Sequence, residues 1–260
     1  MTMNNFYNKN RWEGKTVCFL GDSITEGYGV GTGERYFDLL ENMIGIKSMC
    51  YGVGGARYMD IPGQIARMKQ DGVKPDAIFV FAGTNDYADL RPLGKWYDIS
   101  DAEVITRKDE AGNAVSTEMR PRRSFSFDIS TFRGGINTVL CELRHTYPHA
   151  AIVLMTPLHR GFAEFLEFAL DNIHFPDNYP NHIGLHIDDY VSVVKEAAGI
   201  WAAELIDLYS VSGLFPCFDE GADMFVSKDH DRLHPEKKGH ERMAEVIARK
   251  MVAIAPGAAE

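Results

Sequence analysis

The chain has 260 residues, 45% of them hydrophobic, with a formal net charge of -10 and a pI near 5.4. Its length and apolar content suffice for one full α/β core, while the acidic balance excludes nucleic acid or an anionic membrane surface as the main partner, since both require a basic face. No basic segment followed by an apolar stretch opens the chain and no apolar run reaches membrane-spanning length, so a soluble, cytoplasmic protein with no membrane contact is expected.

Residues 1–14 are polar, with Asn4, Asn5, Asn8, Lys9, Asn10 and Gly14, and read as a loosely held arm ahead of a single domain over 15–260. The run Val17 to Leu20 is too short for a helix and stops at Gly21-Asp22-Ser23. A buried parallel strand presents a side chain in this way at its carboxyl end, where open α/β sheets bind their ligands. Alone, such a serine reads as a polar residue that caps the following turn. A glycine-rich loop follows, and Glu34 to Ile44 has helical spacing. Lys47 to Tyr51 reads as the second strand, ending in Gly52-Val53-Gly54-Gly55, where three glycines imply a close backbone approach or positive φ.

Ile61 to Gln70 reads as a helix and Asp76 to Ala82 as a fully buried strand that ends in Gly83-Thr84-Asn85-Asp86. Three strands thus end in glycine plus polar groups, which predicts a doubly wound parallel sheet with its site along one edge. Between Leu93 and Asp128 the alternation stops. That stretch reads as a flap or a β-hairpin insertion, with Glu103 to Arg107 paired to Val115 to Met119 about Gly112-Asn113, or as a solvated excursion. Ile129 to Tyr147 is then a long amphipathic helix and Ala150 to Met155 a fourth strand. Leu158 to Leu185 is irregular and aromatic, with Phe162, Phe165, Phe168, Phe175 and Tyr179, and could wall a substrate pocket; its His159, His174 and His182 read as surface residues. His186 to Ala198, Ala203 to Leu208 and Lys238 to Ala253 complete the pattern as helix, fifth strand and helix.

The four cysteines, Cys18, Cys50, Cys141 and Cys217, include no C-x-x-C pair and read as small buried hydrophobes. Chemistry points instead to Asp229-His230-Asp231-Arg232-Leu233-His234-Pro235. An aspartate three residues ahead of a histidine can hold Nδ1–H and leave Nε2 facing a hydroxyl, and a serine needs such a base near neutral pH. A metal pair of His230 and His234 is disfavoured by Pro235, which denies them a shared helix face. Donors for an oxyanion are available at the strand ends: the Ser23 N–H, a glycine N–H of the Gly54-Gly55 turn and the Asn85 amide.

Four blocks, Gly21 to Gly27, Gly52 to Ala56, Gly83 to Asp86 and Asp231 to Pro235, together resemble the SGNH hydrolases, also called GDSL lipases and esterases. The resemblance implies a three-layer α/β/α, flavodoxin-like sandwich with a five-stranded parallel sheet. It implies Ser23 as nucleophile, His234 as general base, Asp231 orienting it, and an oxyanion hole of Ser23, Gly55 and Asn85, with no metal and no cofactor. The family's usual Asp-Gly-Leu-His reads Asp231-Arg232-Leu233-His234 here, which is expected to narrow or charge the pocket. The expected activity is a serine ester hydrolase that removes acetyl or another short acyl group from a carbohydrate or small alcohol. The alternatives are a lysophospholipase or thioesterase, or a non-catalytic carbohydrate-binding protein on the same fold; an oligomer is compatible with each. A dinucleotide or phosphoryl-transfer enzyme is disfavoured, because Gly27-Tyr28-Gly29-Val30-Gly31 lacks the strand-to-helix context and no P-loop lysine motif occurs.

Overall fold

The computed structural model describes residues 11–164 and 173–257. From β1 (Thr16–Gly21) the chain turns through the short helix α1 (Ser23–Glu26) into α2 (Tyr36–Ile44) and β2 (Lys47–Cys50). A 3-10 turn at Tyr58–Asp60 leads to α3 (Ile61–Gln70), β3 (Ala77–Phe81) and a second short helix at a strand end, α4 (Thr84–Ala88). The strands β4 (Tyr97–Lys108) and β5 (Ala114–Phe125) intervene before α5 (Phe132–Thr146) and β6 (Ala151–Met155). Beyond them lie β7 (Ala163–Glu164), β8 (Ile173–His174), α6 (Ile187–Ile200), β9 (Glu204–Ile206), α7 (Leu208–Val211), β10 (Phe225–Ser227), β11 (Asp231–Pro235) and α8 (Lys237–Met251).

The main sheet is parallel, in the order β2-β1-β3-β6-β9, the flavodoxin-like arrangement. Its central strands β1, β3 and β6 read as apolar runs because both faces are covered. Cys18, Leu20, Ile78, Val80, Ile152 and Leu154 pack under α3, α5 and α6. The alternating set, Val17, Phe19, Phe79, Phe81, Val153 and Met155, packs under α2 and α8. Trp12 joins this second layer and donates its indole N–H to the Met251 carbonyl at 2.8 Å, so the end of the expected arm is anchored in the core. Residues 1–10 of that arm, and Phe165 and Phe168 of the aromatic loop, lie outside the described residues.

The insertion is a hairpin, longer than the sequence pattern indicates: Glu103 pairs with Met119 and Ile105 with Thr117, but pairing continues to Tyr97 and Phe125. The extension was hidden because charged residues break the alternation of apolar and polar positions there. Its anchors lie at the base. Phe125 stacks on Trp201 with centroids 4.2 Å apart, and the fully buried Asn137 of α5 donates to the Trp96 and Ser126 carbonyls while accepting from Trp201.

A second correction concerns Asp231 to Pro235, expected as a tight loop. The segment is β11 of an antiparallel sheet ordered β10-β11-β7-β8. Its hairpin partner β10 has only three residues and an irregular register, and its other partner β7 lies far back in the chain, so the local alternation is too short to signal it. Of the cysteines only Cys18 is fully buried; all four are free thiols.

Candidate active site

The carboxyl ends of β1 and β3, neighbours at the point where the strand order reverses, set the site. Gly21 closes β1 where no larger residue fits: a Cβ there would stand 2.3 Å from the Phe81 carbonyl oxygen and 2.5 Å from Thr25 Oγ1. Gln64 of α3 grips this residue from the side, accepting from Gly21 N–H at 2.9 Å and donating to its carbonyl at 2.7 Å. Asp22 then caps α1 by accepting from Ile24 N–H at 3.0 Å, which fixes the turn that carries Ser23. The Asp22 side chain is 2% exposed, and burial pushes its carboxyl up to about 6.

Ser23 Oγ lies 2.8 Å from His234 Nε2, although the two residues are 211 positions apart. His234 Nδ1 lies 2.8 Å from Asp231 Oδ2. The other Asp231 oxygen accepts the Leu233 and His234 backbone N–H groups, each at 3.0 Å, so the carboxylate holds both the ring and the strand that presents it. With the Nδ1 proton directed at Asp231, Nε2 is the acceptor for the serine hydroxyl. Asp231 and His234 are each 5% exposed, whereas Ser23 is half-buried and reachable from solvent.

Among the described residues no acceptor occupies the N–H of Ser23 or of Gly55, while Gly54 N–H donates to Glu26 Oε2 at 2.7 Å. This distinguishes the two glycines that the sequence left nearly equivalent. Gly55 has φ +73° and open space where a Cβ would project. Gly52 approaches α1 so closely that a Cβ would sit 2.8 Å from Glu26 N. Asn85, in the first turn of α4, donates one amide hydrogen to the Ala56 carbonyl at 3.1 Å, which ties it to the Gly55 turn and leaves the second hydrogen for another acceptor.

Residues that no motif singled out complete the surroundings. The Tyr28 ring packs on the His234 imidazole with centroids 4.3 Å apart. Arg160, 1% exposed, donates to the Thr84 carbonyl and Oγ1, both at 3.0 Å, and to His174 Nδ1 at 2.9 Å. It thereby braces α4 from below, and burial lowers its guanidinium to about 10 and His174 to about 4. Tyr28 was within reach of sequence reasoning, since it directly follows the Gly21 to Gly27 block; nothing local marks an arginine for burial. His159 and His174 are not plain surface residues: His159 Nδ1 meets Asp177 at 2.5 Å and its ring stacks on Tyr209. His230 is separate from His234 and pairs with Glu164 at 2.6 Å. Arg232 does not charge the serine site. Its guanidinium is spent on Asp219, at 2.6 Å, and on the Lys228 carbonyl.

Comparison with known proteins gives the family and the fold. Residues 19–242 match the model of the GDSL-like lipase/acylhydrolase family. No curated protein matches. Among solved structures, a protein from Lactobacillus plantarum superposes with a TM-score of 0.67 at 22% identity, over 93% of this chain and 98% of its own. A possible lipase from Chitinophaga pinensis gives 0.65 at 21%, over 91% and 97%. An acetylxylan esterase from Geobacillus stearothermophilus gives 0.54 at 17%, over 95% and 97%. The family match spans all four motif blocks and the fold that unites them, and the chain is a member of the GDSL-like lipase/acylhydrolase family.

Proposed function

We propose that the protein is a metal-independent serine ester hydrolase acting through an acyl-enzyme. The observation that carries this reading is the continuous chain Ser23 Oγ, His234 Nε2, His234 Nδ1, Asp231 Oδ2, with 2.8 Å at each hydrogen bond. Ser23 Oγ attacks the ester carbonyl carbon while its proton passes to His234 Nε2. The negative charge that develops on the carbonyl oxygen is met by the Ser23 and Gly55 N–H groups and the Asn85 amide. As the tetrahedral species collapses, the alkoxide takes the proton from Nε2 and leaves as the alcohol. Water, deprotonated by the same nitrogen, then attacks the acyl-serine and releases the acid. Asp231 steadies the imidazolium in both halves and keeps the ring in the productive tautomer.

For the acyl group the reading is acetyl or another short chain, carried by a carbohydrate or similar alcohol. The fold likeness to an acetylxylan esterase supports this choice. The test is p-nitrophenol release from acetate, butyrate and octanoate esters, with and without EDTA. Acetate turnover should lead the series, survive EDTA and fall by about 10⁴-fold or more in Ser23→Ala. Turnover that persists in this variant would overturn the mechanism; preference for octanoate would overturn the short acyl group.

A further inference from the structure

A cleft of about 300 Å³ lies alongside β11, lined by Phe162, Asn178, Tyr179, Lys228, Asp229 and Arg232 among others. It sits at the lower end of the range for small-molecule sites. Arg232 is two residues before His234 on β11, a separation of about 7 Å along an extended strand. The opposite wall is tied to α4, the helix of Asn85: Tyr87 Oη donates to the Tyr179 carbonyl at 2.8 Å, and Asn181 Nδ2 donates to the Tyr87 carbonyl at 3.0 Å. One wall of the cleft thus belongs to the strand that presents the histidine, and the loop that forms the other is hydrogen-bonded to the helix that presents the asparagine amide.

We infer that this cleft is a binding subsite for a neutral glycosyl unit of the alcohol, beyond the ester itself, an inference that rests on the ester-hydrolase reading. Its lining favours that chemistry over others. Asp229 and Asn178 are exposed and make no hydrogen bond to another described side chain, so a carboxylate and an amide stand ready to read hydroxyl groups. Tyr179, 53% exposed at the rim, and Phe162 supply aromatic surface for the apolar face of a sugar ring. The charges nearly balance: Arg232 is paired with Asp219, and Lys228 stands in sequence beside Asp229. An anion would meet the Asp229 carboxylate, and a fatty chain would strand the same polar groups without partners.

Binding is measured by calorimetry on the Ser23→Ala protein with three free probes: the unacylated trisaccharides of β-linked xylose, glucose and N-acetylglucosamine. Saturable binding of at least one is expected, weakened by about tenfold or more when Asp229→Ala and Asn178→Ala are added. Both side chains are exposed, so the melting temperature should stay put and report that folding is intact. No saturable binding by any trisaccharide, or binding indifferent to the two substitutions, overturns the inference. Ser23-dependent acetate hydrolysis without trisaccharide binding would sink the subsite and leave the esterase standing. Trisaccharide binding that depends on Asp229 and Asn178, without any hydrolysis, would do the reverse.

Discussion

The active-site edge and the β4–β5 ribbon use backbone and side chains in opposite ways. At the edge, short segments without long hydrogen-bond ladders are held by buried side chains: Gln64 on Gly21, Asp22 under α1, Asp231 on two backbone N–H groups, and Arg160 under α4. The ribbon has twelve residues in each strand, paired along nearly the whole length, yet almost every side chain beyond the base is exposed, Ile99, Ile105 and Met119 included. Backbone ladders make a segment regular, but a two-stranded ribbon gains little stability without a packed face. Positional precision comes from buried polar contacts, which are strong in a low dielectric and costly to break. Function belongs where such contacts concentrate.

The largest effect that sharpens this contrast lies with Asn85. Asn85→Ala should lower kcat for acetate ester about 10²- to 10³-fold with little change in KM, because the amide is asked to act on the developing oxyanion and not on bound substrate. Steady-state kinetics at saturating ester would show it, and a change confined to KM would remove the residue from that role.

An intermediate effect is expected at Asp22, which shows the cost of using a buried carboxyl to hold the turn. Its folded value of about 6 lies above the ordinary carboxylate range, so the stability tied to its protonated form is complete below about pH 4 and is lost as pH rises through 6. Asp22→Asn stays neutral and can still accept from Ile24 N–H. The variant should therefore be more stable than the parent by about 3 kcal/mol at pH 8 and by much less at pH 4, as measured by urea unfolding. An equal difference at both pH values would contradict this account.

The smallest effect is expected at the ribbon. Replacing residues 99–123 by a short turn, with Tyr97, Phe125 and the Asn137 clamp retained, should leave acetate turnover within about twofold and unfolding within about 1 kcal/mol. Collapse of turnover in that variant would break the contrast and restore the idea of a flap over the site.

All five sheet strands were legible, β1, β3 and β6 as apolar runs stopping at glycine or polar groups, and α2, α3, α5, α6 and α8 as helical spacings, with ends displaced by a few residues. Ser23, Asp231, His234, Gly55 and Asn85 were also legible as candidates, because their motif blocks are contiguous in the chain. Arg160 and Gln64 were not, since each matters through contact with a residue far away in sequence. The strand at Asp231–Pro235 was missed because its hairpin partner β10 has only three residues and its other neighbour, Ala163, is far away in sequence.

By itself, then, the sequence determined the alternation of buried strand and amphipathic helix, because side-chain periodicity and turn chemistry are local properties of the chain. It also determined which residue types stand at the strand ends. Only the tertiary structure decided that Ser23 and His234 meet across 211 residues, that Gly54 rather than Gly55 gives its N–H to Glu26, and that the ribbon is anchored at its base. Those outcomes depend on which distant backbone groups pair and which polar atoms are left to find partners once both faces of the sheet are covered, and no local pattern encodes them.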